Sequence, residues 1–488
     1  MAIGLWSKRN ISVTAVVVFI LTVSYREFAS LSRPSNSNSA IEWWKPVPLE
    51  NAIDPNPHQK YRTADDFLPH FDAVLLLPPL TIQDAKKTCT WSETELSKID
   101  FTFGPGQLGP ATEGWIFKDR DQKEIDKHRQ EWQDYIKNNL IPYSTVKDRF
   151  MGRGIVILAG NDDTLKRTEV LLRALKYHGC TLPVEIHYWK DEMDEGKKEK
   201  LVAVYGNMFF NDLSTPDNLF KSTPIILRNY QFKTAALFNS RFAEPLLLDS
   251  DNIPNINPEE LWASRTYKEF GSVFWPDIAR TYPQDPIWSI TNTPCRMDEY
   301  EQESGQLLVD KRQYFYHLQL ATWLNNKTDY YLDFLLGDKD LFRFAWHALK
   351  TPYGRPSSWL TSVGLMQDDG LYCGHSFGQH HPDEEGEIAF LHGGLLKTFS
   401  TEAIEHWREE GGLFKHVKRS PNPANWREIT RVGIQFRGGD HIKGLEGMKW
   451  DCTDMFDIEP EKAQERELLD GFEDVFEKIH GYWLVDKV

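Results

Sequence analysis

No dense Lys/Arg run occurs in this chain, whose formal net charge is −16 over 488 residues. Nucleic-acid phosphates reward a basic stripe, so the charge balance excludes nucleic acid as a partner. Cysteine is scarce: Cys89, Cys180, Cys295, Cys373 and Cys452 form no Cys-x-x-Cys pair, which excludes a zinc framework. A phosphate-cradling glycine loop is also missing. Gly104–Gly109 spells G-x-G-x-x-G, but no strand precedes it, Pro105 sits inside it and Pro110 follows, so it is read as a loop. Finally, no small-x-small cleavage site follows the apolar run Ile11–Tyr25. That argues for an uncleaved signal anchor over a cleaved signal peptide.

What is present fits that topology. The 15 residues Ile11–Tyr25 would span roughly 22 Å as a helix, short for a typical membrane but suited to a thin early secretory one. Lys8 and Arg9 before the run place the N-terminus in the cytosol and the rest of the chain in the lumen. In that oxidising compartment one or two disulfides would form, leaving one thiol over. Asn326-Lys327-Thr328 is a glycosylation sequon usable only there. The reading divides the chain into a cytosolic tail and anchor (1–29), a Ser/Asn/Pro-rich stem (30–70), an N-terminal extension (71–151), a catalytic domain (152–455) and a charged, peripheral tail (456–488). Within the extension, Phe71–Leu80 is expected to pack as an edge strand, and Asp119–Leu140 as a helix.

From Gly154 the pattern becomes regular. Ile155–Ala159 reads as a buried strand, Thr164–His178 as a helix, and Leu182–Trp189 as a second strand. This βαβ unit implies a parallel sheet. A helix at Glu195–Tyr205, a strand at Ile225–Leu227 and a helix at Phe232–Arg241 lead to the apolar strand Leu246–Leu248, which ends in Asp249-Ser250-Asp251. Residues two apart on a strand point the same way, so two carboxylates would leave the sheet together. Their repulsion is relieved by a hard divalent cation, Mn²⁺ or Mg²⁺, carrying a diphosphate. The competing reading is a plain turn, because Asp, Ser and Asn are turn formers. Further strands are expected at Gly271–Trp275, Gln306–Val309 and Ile388–Leu391. An acidic loop is expected at Glu299–Gly305, with helices at Arg312–Leu324 and Leu341–Leu349.

Five segments, in order, then carry a resemblance: KTAALFNSRFAEPLLLDSDNIPNINPEELW, GSVFWPDI, EQESGQLLVDK, GDKDLFRFAW and AFLHGGLLK. Over roughly residues 152–417 the chain resembles the fungal Golgi α-mannosyltransferases of glycosyltransferase family 71. That resemblance implies an α/β fold of the GT-A type: a Rossmann-like, mixed but mostly parallel sheet flanked by helices. It further implies GDP-mannose as donor, Mn²⁺ as cofactor, and retention of configuration. The acceptor would be a mannose-terminated glycan on a glycoprotein, joined through an α-1,2 or α-1,3 linkage. The setting would be a single-pass type II Golgi membrane protein with a lumenal catalytic domain, able to join a Golgi glycosyltransferase complex.

On this reading Asp249 and Asp251 hold the metal on the donor diphosphate, and His392 completes the set with an imidazole that suits Mn²⁺. His380-His381 and the Cys373/His375 pair lack companion ligands. Lys233 could contact phosphate or be an ordinary solvated helix lysine. Asp338 would grip the donor sugar or act near its anomeric carbon, while Asp340 would cap the following helix. Glu303 is a second carboxylate for sugar or acceptor, and Trp275 and Asp277 would line the acceptor side. Alternatives are the same fold with another nucleotide-sugar donor, or a non-catalytic, lectin-like Golgi subunit. The residues leave linkage, N- or O-linked acceptor, base contacts, catalytic step and oligomeric state open.

Overall fold

The computed structural model describes residues 63–96, 101–103, 120–224, 230–335, 337–383, 387–427, 430–463, 469 and 471–485. The anchor, the stem up to residue 62, the Gly104–Gly109 loop and the strand expected at Ile225–Leu227 lie outside these residues. Among the described residues no helix is long and apolar enough to cross a membrane.

The strands, in chain order, begin with β1 (Phe101–Phe103), β2 (Arg153–Leu158), β3 (Val184–Tyr188), β4 (Met208–Asp212) and β5 (Glu244–Leu248). Next come β6 (Asn252–Pro254), β7 (Ser272–Pro276), β8 (Gln302–Val309), β9 (Thr361–Met366) and β10 (Tyr372–His380). The last are β11 (Ile388–His392), β12 (His416–Lys418), β13 (Val432–Gly438), β14 (Lys449–Met455) and β15 (Glu461–Lys462). A six-stranded sheet runs β4-β3-β2-β5-β8-β7. Its first four strands are mutually parallel, as the βαβ pattern requires, and β8 reverses direction against both β5 and β7. Both faces are covered, which is why its strands read as continuous apolar runs rather than alternating ones. Ile155, Ile157, Leu246 and Leu248 pack beneath the helix Asp162–Tyr177. Val156, Leu247 and Leu307 face the helices Gln231–Asn239, Lys311–Asn325 and Lys339–Ala348.

A second, nine-stranded sheet follows β1-β13-β14-β10-β9-β12-β15, with β11 on β10 and β6 on β11. Of its strands the sequence pattern disclosed only Ile388–Leu391, because others, such as Tyr372–His380 (YCGHSFGQH), carry glycine and polar residues in place of an apolar run. Its core includes Val363, Leu365, Leu391, Val417 and Trp450. The tail expected to be peripheral contributes Phe472, Phe476, Ile479, Tyr482 and Trp483 to the same core. Charge dominates that stretch in composition, yet Phe472 and Phe476, four apart on the helix Phe472–Lys478, turn one apolar side inward.

Three other expectations change. Phe71–Leu80 is not an edge strand: Leu68–Leu75 is a helix started by Pro69, and it buries Phe71 and Val74 on one side. Packing also starts before residue 71, since Ala64 and Phe67 are buried, with Phe67 ringed by Phe71, Tyr314 and His317. Lastly, Gln302–Gly305 is no loop but the first half of β8, paired with β7 through Trp275↔Glu303 and Pro276↔Gln302. Disulfides join Cys89 to Cys295 and Cys373 to Cys452, leaving Cys180 as a buried free thiol. The first ties the N-terminal extension to the main body, and the second staples β10 to β14.

Asp451, buried within β14, gives a test of this second sheet. Burial pushes its carboxyl up to about 6. Its folded value exceeds the unfolded one, so the stability it contributes is fully present below about pH 4 and lost as pH rises through about 6. Asp451→Asn should therefore be more stable than the parent by about 1–3 kcal/mol at pH 7.5, and the two should converge at pH 4 in denaturant unfolding.

Candidate active site

The Asp-x-Asp segment is the point where the chain leaves one sheet for the other. β5 stops at Leu248, the backbone N–H of Asn252 donates to the Asp249 carbonyl at 3.0 Å, and β6 begins. The segment is thus a turn and a carboxylate pair at once. Strand alternation does not aim the two side chains; the turn and its surroundings do. The Asp249 N–H donates to the Gly305 carbonyl at 2.9 Å. Buried Asn252 donates through Nδ2 to the Gly305 carbonyl and to Gln306 Oε1, both at 2.7 Å. β6 then pairs antiparallel with β11 in a register that sets His392 opposite Asn252. The Gly393 N–H closes onto the Asp251 carbonyl at 3.0 Å. A residue 141 positions downstream is thereby delivered to the turn.

His392 Nε2 lies 3.4 Å from Asp251 Oδ1 and 3.9 Å from Asp249 Oδ2. Ligand atoms of Asp249, Asp251 and His392 all fall within 4.8 Å of one another. Two carboxylates and an imidazole form a donor set that fits Mn²⁺, with Mg²⁺ a poorer match to nitrogen. Glu303 Oε2 stands 3.4 Å from His392 Nδ1 on the far side of the ring, and its Oε1 accepts the Gly305 N–H at 2.7 Å. A carboxylate behind a metal-facing histidine fixes the ring's orientation. The structure therefore places Glu303 behind the imidazole. Burial would raise the Glu303 carboxyl, but His392 and Lys233 hold it down to about 2. Burial opposes the charged form of Asp251 as well, yet Lys397 and His392 keep its carboxyl well below the usual range. The imidazole of His392 is in turn held well above its ordinary value by Glu303 and Asp251, against the effect of burial.

Lys233 is not a solvated helix lysine. Its Nζ donates to Asp249 Oδ2 at 3.0 Å and to Ser304 Oγ at 3.1 Å, and it lies 3.6 Å from Asp338 Oδ2. Asp338 is buried, and its carboxyl is pushed up to about 6 by burial, with Lys233 opposing and Asp249 reinforcing the rise. It serves as a counter-charge to Lys233 beside the Asp249–Asp251–His392 cluster. Helix capping by Asp340 does not occur: Asp340 is wholly buried, bound by Arg343 at 2.7 Å and by the Gln302 N–H at 3.1 Å. Trp275 does not line an acceptor surface either. It is 1% exposed and donates through Nε1 to the His380 carbonyl at 2.8 Å. Asp277, by contrast, keeps partial exposure beside Lys339, at 2.8 Å. His375 and His380 are committed to Leu413 O and Thr361 Oγ1, and Cys373 to its disulfide.

Sequence reasoning missed Lys397, whose Nζ lies 2.7 Å from Asp251 Oδ2 while its side chain stays 44% exposed. It follows His392 by five residues in HGGLLK, and that proximity was the available signal. Also missed was Gly305, the reason His392 fits at all. A Cβ there would meet the imidazole at 2.9 Å, closer than real contacts allow. Two variants test the cluster by Mn²⁺ titration under electron paramagnetic resonance. Glu303→Gln, which loosens the ring from behind, should weaken Mn²⁺ binding about 10- to 100-fold. Gly305→Ala should displace His392 and weaken binding in the same direction, with the thermal melt separating this effect from unfolding.

With this geometry in place, comparison with known proteins is informative. Residues 152–299 and 295–381 match Mannosyl_trans3, a mannosyltransferase family model. The chain is 26% identical over 311 residues to the alpha-1,2-mannosyltransferase MNN21 of Candida albicans, covering 53% of this chain and 47% of that protein. It is 30% identical over 166 residues to the alpha-1,2-mannosyltransferase MNN2 of Saccharomyces cerevisiae, covering 33% of this chain and 26% of that protein. The chain thus spans about half or less of the length of these two relatives. A solved structure of the mannosyltransferase Ktr4p from S. cerevisiae in complex with GDP aligns at a TM-score of 0.28 and 11% identity, over 49% of this chain and 81% of that one, too slight a likeness to argue from. The family match spans the Asp-x-Asp turn, Lys233, Glu303 and Asp338, and over residues 152–381 this chain is similar to mannosyltransferases, the curated relatives being fungal.

Proposed function

We propose that the chain is a metal-dependent, retaining mannosyltransferase of the GT-A type that moves mannose from GDP-mannose to a mannose-terminated glycan on glycoproteins. The observation carrying this reading is the convergence of Asp249, Asp251 and His392 within 4.8 Å at the carboxyl edge of a parallel sheet. That edge is where open α/β sheets take nucleotides. The relatives named above are alpha-1,2-mannosyltransferases, which favours an α-1,2 over an α-1,3 linkage. Two formed disulfides and the apolar run Ile11–Tyr25 support a lumenal, membrane-anchored setting in the Golgi.

When bound, Mn²⁺ would offset the negative charge that builds on the departing nucleotide diphosphate. The chain's own groups do the rest. Asp249 and Asp251 supply oxygen ligands, and His392 supplies nitrogen, oriented by Glu303. Lys233 holds Asp249 in place and neutralises part of the carboxylate charge. Lys397, exposed on the open side of Asp251, is free to turn from that carboxylate toward a phosphate. Arg167, whose Nε donates to Ser250 Oγ at 3.3 Å, adds positive charge at the same edge.

The test is transfer of labelled mannose from GDP-mannose to an α-mannoside by the purified full-length chain. Mn²⁺-dependent product is expected, and Asp251→Asn should lower the rate at least 100-fold with an unchanged melting temperature. Activity undiminished by excess EDTA would refute the metal-dependent mechanism. Melting shifts with a panel of nucleotides would reveal a different donor if GDP-mannose fails.

A further inference from the structure

The carboxyl edge of the six-stranded sheet carries a tryptophan as well as the Asp-x-Asp turn. Leu248 of β5 stands opposite Ile157 of β2, and Ile157 opposite Ile186 of β3. Asp251 follows Leu248 by three residues, and Trp189 follows Ile186 by three. Pairing continues to that edge, with the Ala159 N–H on the His187 carbonyl at 3.0 Å. Trp189 therefore emerges level with Asp251, two strands away, a lateral separation of about 10 Å at the usual strand spacing. A nucleotide whose diphosphate lies at the turn puts its base at such a remove, because the ribose separates the two.

The ring is fixed in place. The Trp189 N–H donates to Glu192 Oε2 at 3.2 Å, and the N–H of Lys190, at φ +50°, donates to Asp212 Oδ1 at 3.0 Å. The indole stacks on Phe232, with centroids 4.8 Å apart and planes 8° from parallel. Phe232 is buried, on the face of the sheet that carries the helix Gln231–Asn239. The next residue on that helix is Lys233, whose Nζ donates to Asp249 Oδ2 at 3.0 Å. The aromatic pair and the acidic turn are thus joined through consecutive residues. Trp275, Trp288 and Trp346 are fully buried in the same body, whereas Trp189 keeps part of its surface open. The exposed Lys190 Nζ stands 5.9 Å from the indole centroid, at the outer limit of a cation–π contact, so its hold on the ring is weak. A flat aromatic surface with a rigid backing is what a nucleobase stacks on, and every base has such a face.

Resting on the transferase reading above, we propose that Trp189 is the stacking platform for the base of the donor nucleotide and that Phe232 is the positioning residue that holds its ring. The helix Gln231–Asn239 then addresses both ends of the nucleotide, the base through Phe232 and the diphosphate end through Lys233. Because stacking tolerates any base, this contact supplies affinity rather than the choice of guanine.

Calorimetry of the full-length chain with GDP and, separately, with pyrophosphate, both in the presence of Mn²⁺, tests this. Trp189→Leu, which removes the indole but keeps apolar bulk on Phe232, should weaken GDP binding by about 5- to 100-fold. Pyrophosphate and Mn²⁺ affinities should stay within twofold, and Trp189→Phe should recover part of the GDP loss. Phe232→Leu should weaken GDP in the same selective way, and an unchanged GDP affinity there would overturn its positioning role. Equal losses for GDP and pyrophosphate, or a GDP affinity within twofold of the parent in Trp189→Leu, would overturn the platform and leave the transferase reading standing. If the parent binds UDP instead of GDP, the GDP-mannose donor falls and the same comparison on UDP decides the platform. Absence of any nucleoside diphosphate binding by the parent would overturn the transferase reading, and this proposal with it. If Trp189→Leu fails to melt cooperatively, Trp189→Met, flexible enough to fill the same space, decides in its place.

Discussion

The pairing of β6 with β11 is the constraint on which the rest of this molecule depends. A three-residue strand following the Asp-x-Asp turn hydrogen-bonds to a strand more than a hundred residues later, and its register puts His392 beside Asp251. Nothing in the turn alone would assemble a metal site, since Asp-rich turns are common and satisfied by water. Asn252 reinforces the junction from the other sheet, gripping the Gly305 carbonyl and the Gln306 side chain of β8. One buried residue therefore ties both sheets to the same turn.

Charge at the junction is balanced in a way that suits an exchangeable cation. Asp249, Asp251, Glu303 and Asp338 crowd together, and burial disfavours the ionised forms of Asp251, Glu303 and Asp338. Lys233, Lys397 and His392 answer them. Lys233 is largely enclosed, whereas Lys397 is nearly half exposed. An enclosed ammonium on Asp249 and a more exposed one on Asp251 offset the charge of the carboxylates.

The two sheets divide the labour. The six-stranded sheet supplies the edge at which the turn opens, and the nine-stranded one supplies His392. The body is stapled on both sides: Cys89–Cys295 binds the N-terminal extension, and Cys373–Cys452 locks β10, the neighbour of β11. That second staple lies one strand from His392, so the rigidity it lends serves the site.

Much of the first sheet was legible from local pattern. Apolar runs at Ile155–Ala159 and Leu246–Leu248, with amphipathic helices between, report burial on two faces, and that burial is a local property of side-chain order. The cation-attracting Asp249 and Asp251 were visible because acidic residues after a buried strand stand out chemically. Lys233, Asp338, Glu303 and His392 were legible as residues of interest through family resemblance, but not their partners. Glu303 reads as a free carboxylate in sequence, and only its place in β8 turns it behind His392. Trp275 reads equally as a sugar platform or as core, and the packing of β7 made it core. Residue order thus determined most strands and flanking helices of the first sheet and the acidic turn, because those depend on neighbours along the chain. Which groups face each other across the turn was decided by strand register and by the space that Gly305 leaves open, and both arise only when distant segments pack together.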